Sequence, residues 1–342
     1  SGMSAVATTI FTLLRAGDHI VASSSVYGGT YNLLSVTLPR LGITTTFVDA
    51  HDPKAFEAAI QPNTKLVYTE TIGNPKLDFV DIAAVADVAH AHGLPLVVDN
   101  TLTPILCRPI DHGADIVIYS LTKYFSGNGT AMGGAVVDSG KFDWTNGKFP
   151  DFTEPSPGYH GLRYSETFGP AAFIVRARVE GLRDIGACLS PTNSFLIIQG
   201  LETLALRIKQ SSQSALEIAR WLQQHPAVEW VHYPGLEQDE HHEICKRYLD
   251  GGFGCIITFG LKGGYEAAKS FADHTKLFRI VANLGDTKSL VIHPSSTTHR
   301  QLSPEQQASA GVTPDLVRLS IGLEDIEDLK ADIEQAILEA TR

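Results

Sequence analysis

Ser120-Leu121-Thr122-Lys123, downstream of Asp99-Asn100-Thr101, gathers three chemistries in one stretch of chain. The Lys123 amine can bond an aldehyde carbon as an imine and, once free, carry protons. The hydroxyls of Ser120 and Thr122 can donate to a phosphate. The Asp99 carboxylate can pair with a ring nitrogen and keep it protonated, which turns the ring into an electron sink. Pyridoxal 5′-phosphate (PLP) needs all three, and no other common cofactor needs that set. Each feature also has a plainer reading alone: an Asp-Asn-Thr turn for Asp99, and a Ser/Thr turn with a solvated amine for Lys123. It is their joint position at the ends of successive apolar runs that favours the cofactor.

Other residues extend the set. Ser1-Gly2-Met3-Ser4 opens a helical pattern, and the N–H groups of a helix start can cradle a phosphate or simply be capped by serine. Tyr27, in Val26-Tyr27-Gly28-Gly29-Thr30, can stack on a pyridine ring and serve catalysis by assisting a proton transfer, or close a turn over the core. Arg318, in Val317-Arg318-Leu319-Ser320-Ile321, can clamp an α-carboxylate with two bonds; its alternative is an exposed edge-strand arginine. Asn74, in Glu70-Thr71-Ile72-Gly73-Asn74-Pro75, can reach the cofactor O3′ or a substrate carboxylate. His293 and His299 flank Pro294-Ser295-Ser296-Thr297-Thr298 at no metal-binding spacing, and read as site wall or loop.

The elements that must position these residues follow a βαβα rhythm. Strands are expected at residues 19–22, 44–48, 65–70, 94–99 and 115–119, and helices at 5–14, 31–41 and 81–92. The strand runs alternate little, as suits a mainly parallel sheet covered on both faces. Gly133–Asp138 follows Lys123 too closely for a helical crossover and is expected to join antiparallel. Residues 141–168 break the rhythm, but Phe149, Phe152, Tyr159 and His160 make them an ordered excursion. A long helical pattern over 192–224 leads into a smaller α+β part with strands at 254–259 and 317–321 and a helix at 325–340.

The chain's 342 residues suffice for two lobes, drawn as 1–210 and 211–342, and 43% hydrophobic content marks it globular. A net charge of −11, with no basic run, argues against nucleic acid and anionic membranes and leaves an anionic ligand to local donors. Cys107, Cys188, Cys245 and Cys255 form no Cys-x-x-Cys pair. Neither a zinc site nor a redox motif is expected, and a cytoplasmic setting fits. No Gly-x-Gly-x-x-Gly follows a strand, which weakens a nicotinamide dehydrogenase reading.

From Ser1-Gly2-Met3 to Arg318-Leu319-Ser320-Ile321-Gly322-Leu323-Glu324-Asp325 the chain resembles the Cys/Met-metabolism PLP enzymes, which include cystathionine γ-synthase, cystathionine γ-lyase, methionine γ-lyase and O-acetylhomoserine sulfhydrylase. It is most similar to the sulfhydrylase branch, by Pro157-Gly158-Tyr159-His160-Gly161-Leu162, by Tyr27-Gly28-Gly29-Thr30-Tyr31-Asn32, and by Ala282-Asn283-Leu284-Gly285-Asp286, where the other branches usually carry serine at the Asn283 position. The resemblance implies a fold type I, aspartate-aminotransferase-like large domain with a smaller C-terminal domain. It implies Lys123 as the imine lysine, Tyr27 on the ring, Asp99 at its nitrogen, and Gly2, Met3, Ser120 and Thr122 at the phosphate. It also implies Arg318 at the substrate carboxylate with Asn74 and Asn283 nearby, and a homotetramer built as a dimer of dimers.

Two departures qualify the match. The loop Asp99-Asn100-Thr101-Leu102-Thr103-Pro104 is one residue shorter than the usual pattern, which unsettles the cofactor-binding role of Thr101. The sequence starts at Ser1, without the Tyr-x-Arg segment that in relatives reaches across a dimer to the neighbour's phosphate. The expectation is an N-terminus shortened or disordered upstream of Ser1 and, with that anchor lost, a site that can lack PLP. The implied reaction is a γ-replacement that turns O-acetyl-L-homoserine and sulfide, or methanethiol, into homocysteine, or methionine, and acetate. The alternatives are γ-lyase or cystathionine γ-synthase activity, and a catalytically silent member acting as a partner subunit.

Overall fold

The computed structural model describes residues 1–301 and 303–342. Strands β1 (His19–Ser23), β2 (Thr44–Val48), β3 (Thr64–Glu70), β4 (Leu96–Asp99), β5 (Ile116–Ser120) and β6 (Gly134–Asp138) form one sheet in the order β2-β1-β3-β4-β5-β6. The first five run parallel, and β6 pairs antiparallel with β5, as its short connection requires. Successive side chains enter opposite cores. Ile20, Leu66, Val97 and Ile116 join one cluster with Val6, Ile10 and Leu13 of the helix Gly2–Leu13. Val21, Val67, Val98 and Val117 join the other with Ile82, Val85 and Ala89 of the helix Ile82–Ala91. Two covered faces explain why these strands read as nearly unbroken apolar runs.

A second sheet holds β7 (Val228–His232), β8 (Ile256–Leu261), β9 (Arg279–Ile280), β10 (Leu290–Ile292) and β11 (Leu316–Ser320) in the order β7-β8-β11-β10-β9. All its pairs are antiparallel except β9 with β10. The helices Gly264–His274 and Ile326–Ala340 supply Phe271 and Ile333 to the core beside Phe259 and Val317. β11 is paired on both sides, so Arg318 is no edge residue: it is 7% exposed.

Two expected helices differ in detail. The one expected over 31–41 starts at Gly28 and runs to Leu41, but widens over Leu33–Thr37 and tightens over Leu38–Leu41. Pro39 supplies no N–H to a regular ladder there. The long helix expected over 192–224 is two, Pro191–Leu201 and Leu204–Gln223. Gly200 is pressed onto the main chain of Phe125 and Ser126, where an added Cβ would come within 2.2 Å of a carbonyl oxygen. Arg207 completes the break by donating to the freed Gly200 carbonyl at 2.7 Å.

The excursion over 141–168 is ordered by its rings. Trp144 stacks on Phe152 at 4.5 Å and on Phe173 at 5.6 Å, and Arg176 lies over Phe152. Arg176 also donates to the Thr12 carbonyl at 2.5 Å, so the aromatic cluster props the helix Gly2–Leu13 against the sheet. Phe152→Ala should therefore lower unfolding stability by about 3–5 kcal/mol in urea titration, the usual cost of emptying a large aromatic site.

Candidate active site

Parallel register sets the site. Glu70 pairs with Asp99 and Asp99 with Ile118, so β3, β4 and β5 end along one edge, where open α/β sheets hold their ligands. Asp99 accepts from the Thr101 N–H at 2.9 Å. The Thr101 hydroxyl oxygen in turn accepts from the Ser120 N–H at 2.7 Å, tying β4 to β5. Thr101 thus braces Asp99 against Ser120, despite the short loop. Desolvation pushes the Asp99 carboxyl up to about 6, with the Thr101 bonds opposing it.

The helix Gly2–Leu13 begins against this edge. A Cβ on Gly2 would stand 2.7 Å from the Ser120 Cβ, so only glycine lets the helix start approach so closely. Ser1 caps the helix by accepting from the Ser4 N–H at 3.1 Å. The Thr122 hydroxyl donates to the Gly133 carbonyl and accepts from the Gly133 N–H, at 3.3 and 3.2 Å, which closes the turn that carries Lys123. Met3 meets the Tyr27 loop: its sulfur accepts from the Thr30 hydroxyl at 3.8 Å. The Tyr27 ring is 53% exposed and lies across Gly29, whose added Cβ would be 2.5 Å from its Cε1.

Lys123 Nζ donates to Asn283 Oδ1 at 2.6 Å. Arg318 donates from Nη2 to the Asn283 carbonyl and from Nη1 to Asn74 Oδ1, each at 2.9 Å. Lys123, Asn283, Arg318 and Asn74, far apart in sequence, form one chain of hydrogen bonds. Among the described residues the buried Arg318 Nε has no partner, an orphan that suits a carboxylate guest. Burial, then the Arg318 charge, push the Lys123 amine down to about 8, and burial pushes Arg318 down to about 10. Of the two histidines, His293 is structural, with Ser296 Oγ at 2.9 Å and the Pro314 carbonyl at 2.8 Å from its ring nitrogens. His299 lies on the loop that follows, its main-chain N–H donating to the Pro294 carbonyl at 2.9 Å, and burial, then the Arg318 charge, lower its pKa.

This arrangement fits PLP on its own chemistry: a partly desolvated amine, a carboxylate at a strand end, and a glycine-thin helix start beside Ser120. A family profile described as Cys/Met metabolism PLP-dependent enzyme matches residues 1–338. The chain belongs to that family. It is 53% identical over 347 residues to O-acetyl-L-homoserine sulfhydrylase of Leptospira meyeri, covering 98% of this chain and 78% of that protein. A Campylobacter jejuni structure named as an O-acetylhomoserine (thiol)-lyase, which carries a pyridoxyl-lysine monophosphate, superposes with a TM-score of 0.95 at 42% identity, over 99% of this chain and 81% of that one. The O-acetylhomoserine sulfhydrylase of Wolinella succinogenes gives 0.85 at 41% identity, over 98% and 90%. The fold is thus that of these PLP-dependent enzymes.

Several supporting residues escaped the sequence reading. Arg207 donates to the Tyr124 carbonyl at 2.8 Å and so holds the main chain next to Lys123. Asn100 is fully buried and accepts from the hydroxyls of Thr71 and Thr103 at 2.7 and 2.6 Å, lacing the strand ends together. Tyr124 Oη and Cys255 Sγ are 2.9 Å apart, and the Gly285 N–H donates to Ser320 Oγ at 3.2 Å, which steadies the loop that presents Asn283. Only the tertiary fold brings these partners together; a buried arginine and asparagine in sequence carry no mark of it.

The raised Asp99 carboxyl sets a pH-dependent cost. Its folded pKa of about 6 exceeds the ordinary 3.8, so ionised Asp99 opposes folding of the cofactor-free protein. That cost is small near the ordinary value, grows as pH rises, and is complete above about 6. Asp99→Asn should stabilise the cofactor-free protein by about 1–2 kcal/mol at about pH 7.5, discounted for partial exposure, and by little at about pH 4, as measured by urea unfolding.

Proposed function

We propose that this chain catalyses γ-replacement on O-acetyl-L-homoserine: sulfide displaces acetate and L-homocysteine is formed, with methanethiol giving methionine. The Cγ–S bond forms, the Cγ–O bond breaks, and acetate leaves with the electron pair. The observation that carries this reading is the hydrogen-bonded chain from Lys123 through Asn283 to Arg318, which sets a proton-moving amine beside a carboxylate clamp. The curated relatives named for this activity support it.

In this reading Lys123 would bind the cofactor in the resting enzyme, Asp99 would pair with its ring nitrogen and Tyr27 would cover its ring, with Asn74 and Thr101 at the ring's edge. Gly2, Met3, Ser120 and Thr122 would hold the phosphate. When bound, PLP supplies the electron sink for charge developing at the substrate Cα. Once free, Lys123 Nζ removes the Cα proton and then moves the Cβ proton. Its amine, pushed down to about 8, keeps a neutral fraction able to accept a proton near neutral pH. Arg318, steadied by Asn74 and the Asn283 carbonyl, grips the α-carboxylate and fixes the substrate relative to Lys123. The proposed cofactor-binding domain (1–210) and C-terminal domain (211–342) share the pocket, since Lys123 comes from one and Asn283 and Arg318 from the other. We also read the working protein as a cytoplasmic homotetramer. The structure itself offers no helix long and apolar enough to cross a membrane among the described residues.

Incubation of the holoenzyme with O-acetylhomoserine and sulfide should yield homocysteine and acetate. Keto acid released without added thiol, and no homocysteine with it, would replace the reading with a γ-lyase. Lys123→Ala should cut kcat by about 10²–10⁴-fold and abolish borohydride trapping of the cofactor on the chain. Arg318→Lys keeps a charge but loses the planar fork, and should lower kcat/KM for O-acetylhomoserine by about 10²-fold, largely through KM.

A further inference from the structure

β3 and β4 place two carboxylic acids side by side. Glu70 is the register partner of Asp99, at the same edge as Ser120 and Lys123. Glu70 is 5% exposed, and among the described residues no cation forms an ion pair with it. Its Oε1 accepts from the Tyr27 N–H at 2.6 Å, so Glu70 fixes the point from which the Tyr27 loop springs. Asp99, one strand over, is held by the Thr101 N–H at 2.9 Å, and the Thr101 hydroxyl is itself tied to the Ser120 N–H.

A buried carboxyl beside a partly buried one, without a cation, resists ionising together with it, because each charge raises the cost of the other. The donors decide which one keeps the charge. Asp99 takes the Thr101 N–H, is less buried than Glu70, and its strand-end position faces the site. Glu70 has one neutral N–H and is deeper. The other acidic groups acting on Glu70 are Asp99 on β4 and Asp78 in the following loop, and Tyr68 lies on β3 itself near both carboxyls. None of them supplies positive charge. Burial, and then the Asp99 charge, raise the Glu70 carboxyl well above its ordinary value.

We propose that Glu70 is a positioning residue that works as a neutral carboxylic acid: its carbonyl oxygen anchors the Tyr27 loop, and its proton leaves Asp99 as the single negative carboxylate of the pair. The anchor decides where the Tyr27 ring stands. The retained proton concentrates the pair's charge on the carboxylate at the site. The proposal rests on the reading of Asp99 as the partner of the ring nitrogen.

The test uses the holoenzyme and three variants. Glu70→Gln copies the neutral acid and keeps the acceptor, whereas Glu70→Leu keeps the bulk and removes the acceptor. Infrared difference spectra, wild type minus Glu70→Gln, should contain the carbonyl stretch of a protonated carboxylic acid at neutral pH, with or without bound cofactor. The pH titration of the cofactor's visible absorbance should be the same in Glu70→Gln as in the wild type. Glu70→Leu should lose about tenfold or more in kcat/KM and Glu70→Gln should recover most of it, since an unmet buried N–H is worth that factor. A missing carbonyl band, or a titration shifted in Glu70→Gln, would show an ionised Glu70 and overturn the proposal. Wild-type kinetics in Glu70→Leu would remove the anchor and overturn it equally. If Glu70→Leu does not fold, the band and the Glu70→Gln titration still decide. An Asp99→Asn holoenzyme whose absorbance titration matches the wild type would instead fail the Asp99 reading, a result separate from the infrared band.

Discussion

The shared height at which β3, β4 and β5 end is the constraint from which the site follows. Parallel pairing fixes it, because the ladder admits no slip without turning every buried side chain to the wrong core. Ile116, Val117 and Ile118 feed alternate clusters, as do Val97 and Val98. The apolar contacts that hold the sheet therefore also hold Glu70 and Asp99 level, with Ser120 two residues past their register partner Ile118. The second sheet meets this edge through Asn283 and Arg318, which complete the arrangement from the other side.

The chain is acidic overall, yet the site is organised around positive and neutral donors in low-dielectric surroundings. Burial weakens the charge of Lys123 and Arg318 and raises Asp99, each away from its ordinary protonation. Such opposed shifts in one pocket are the mark of a place where protons and anions are handled. They are sustained by an uncharged scaffold. Thr101, Asn100, Asn74 and Asn283 supply directed hydrogen bonds where a further ion would have added desolvation cost without direction.

Much of this was legible in the sequence because its signals are local. Asp99 and Lys123 each follow an apolar run, Gly133–Asp138 is too close to Lys123 for a crossover, and the rings of the 141–168 segment announced order. Arg318 was placed in the right strand, but its neighbours on both sides, which separate a buried arginine from a solvated edge, are set by sheet order. The split at Glu202 and Thr203 was invisible because its cause, the carbonyls of Phe125 and Ser126 against Gly200, lies about seventy residues upstream. Glu70 was passed over for the same reason. A glutamate closing an apolar strand looks like a solvated end until the sheet sets Asp99 beside it.

Asn283 touches its two partners with different atoms. The side-chain oxygen takes the Lys123 amine, while the main-chain oxygen takes Arg318. Any other residue at this position would keep the main-chain oxygen. The environment of the lysine can therefore change by substitution at this position while the hydrogen bond that steadies Arg318 stays in place. One position is in this way modular: its side chain tunes the lysine, and its main chain steadies the arginine.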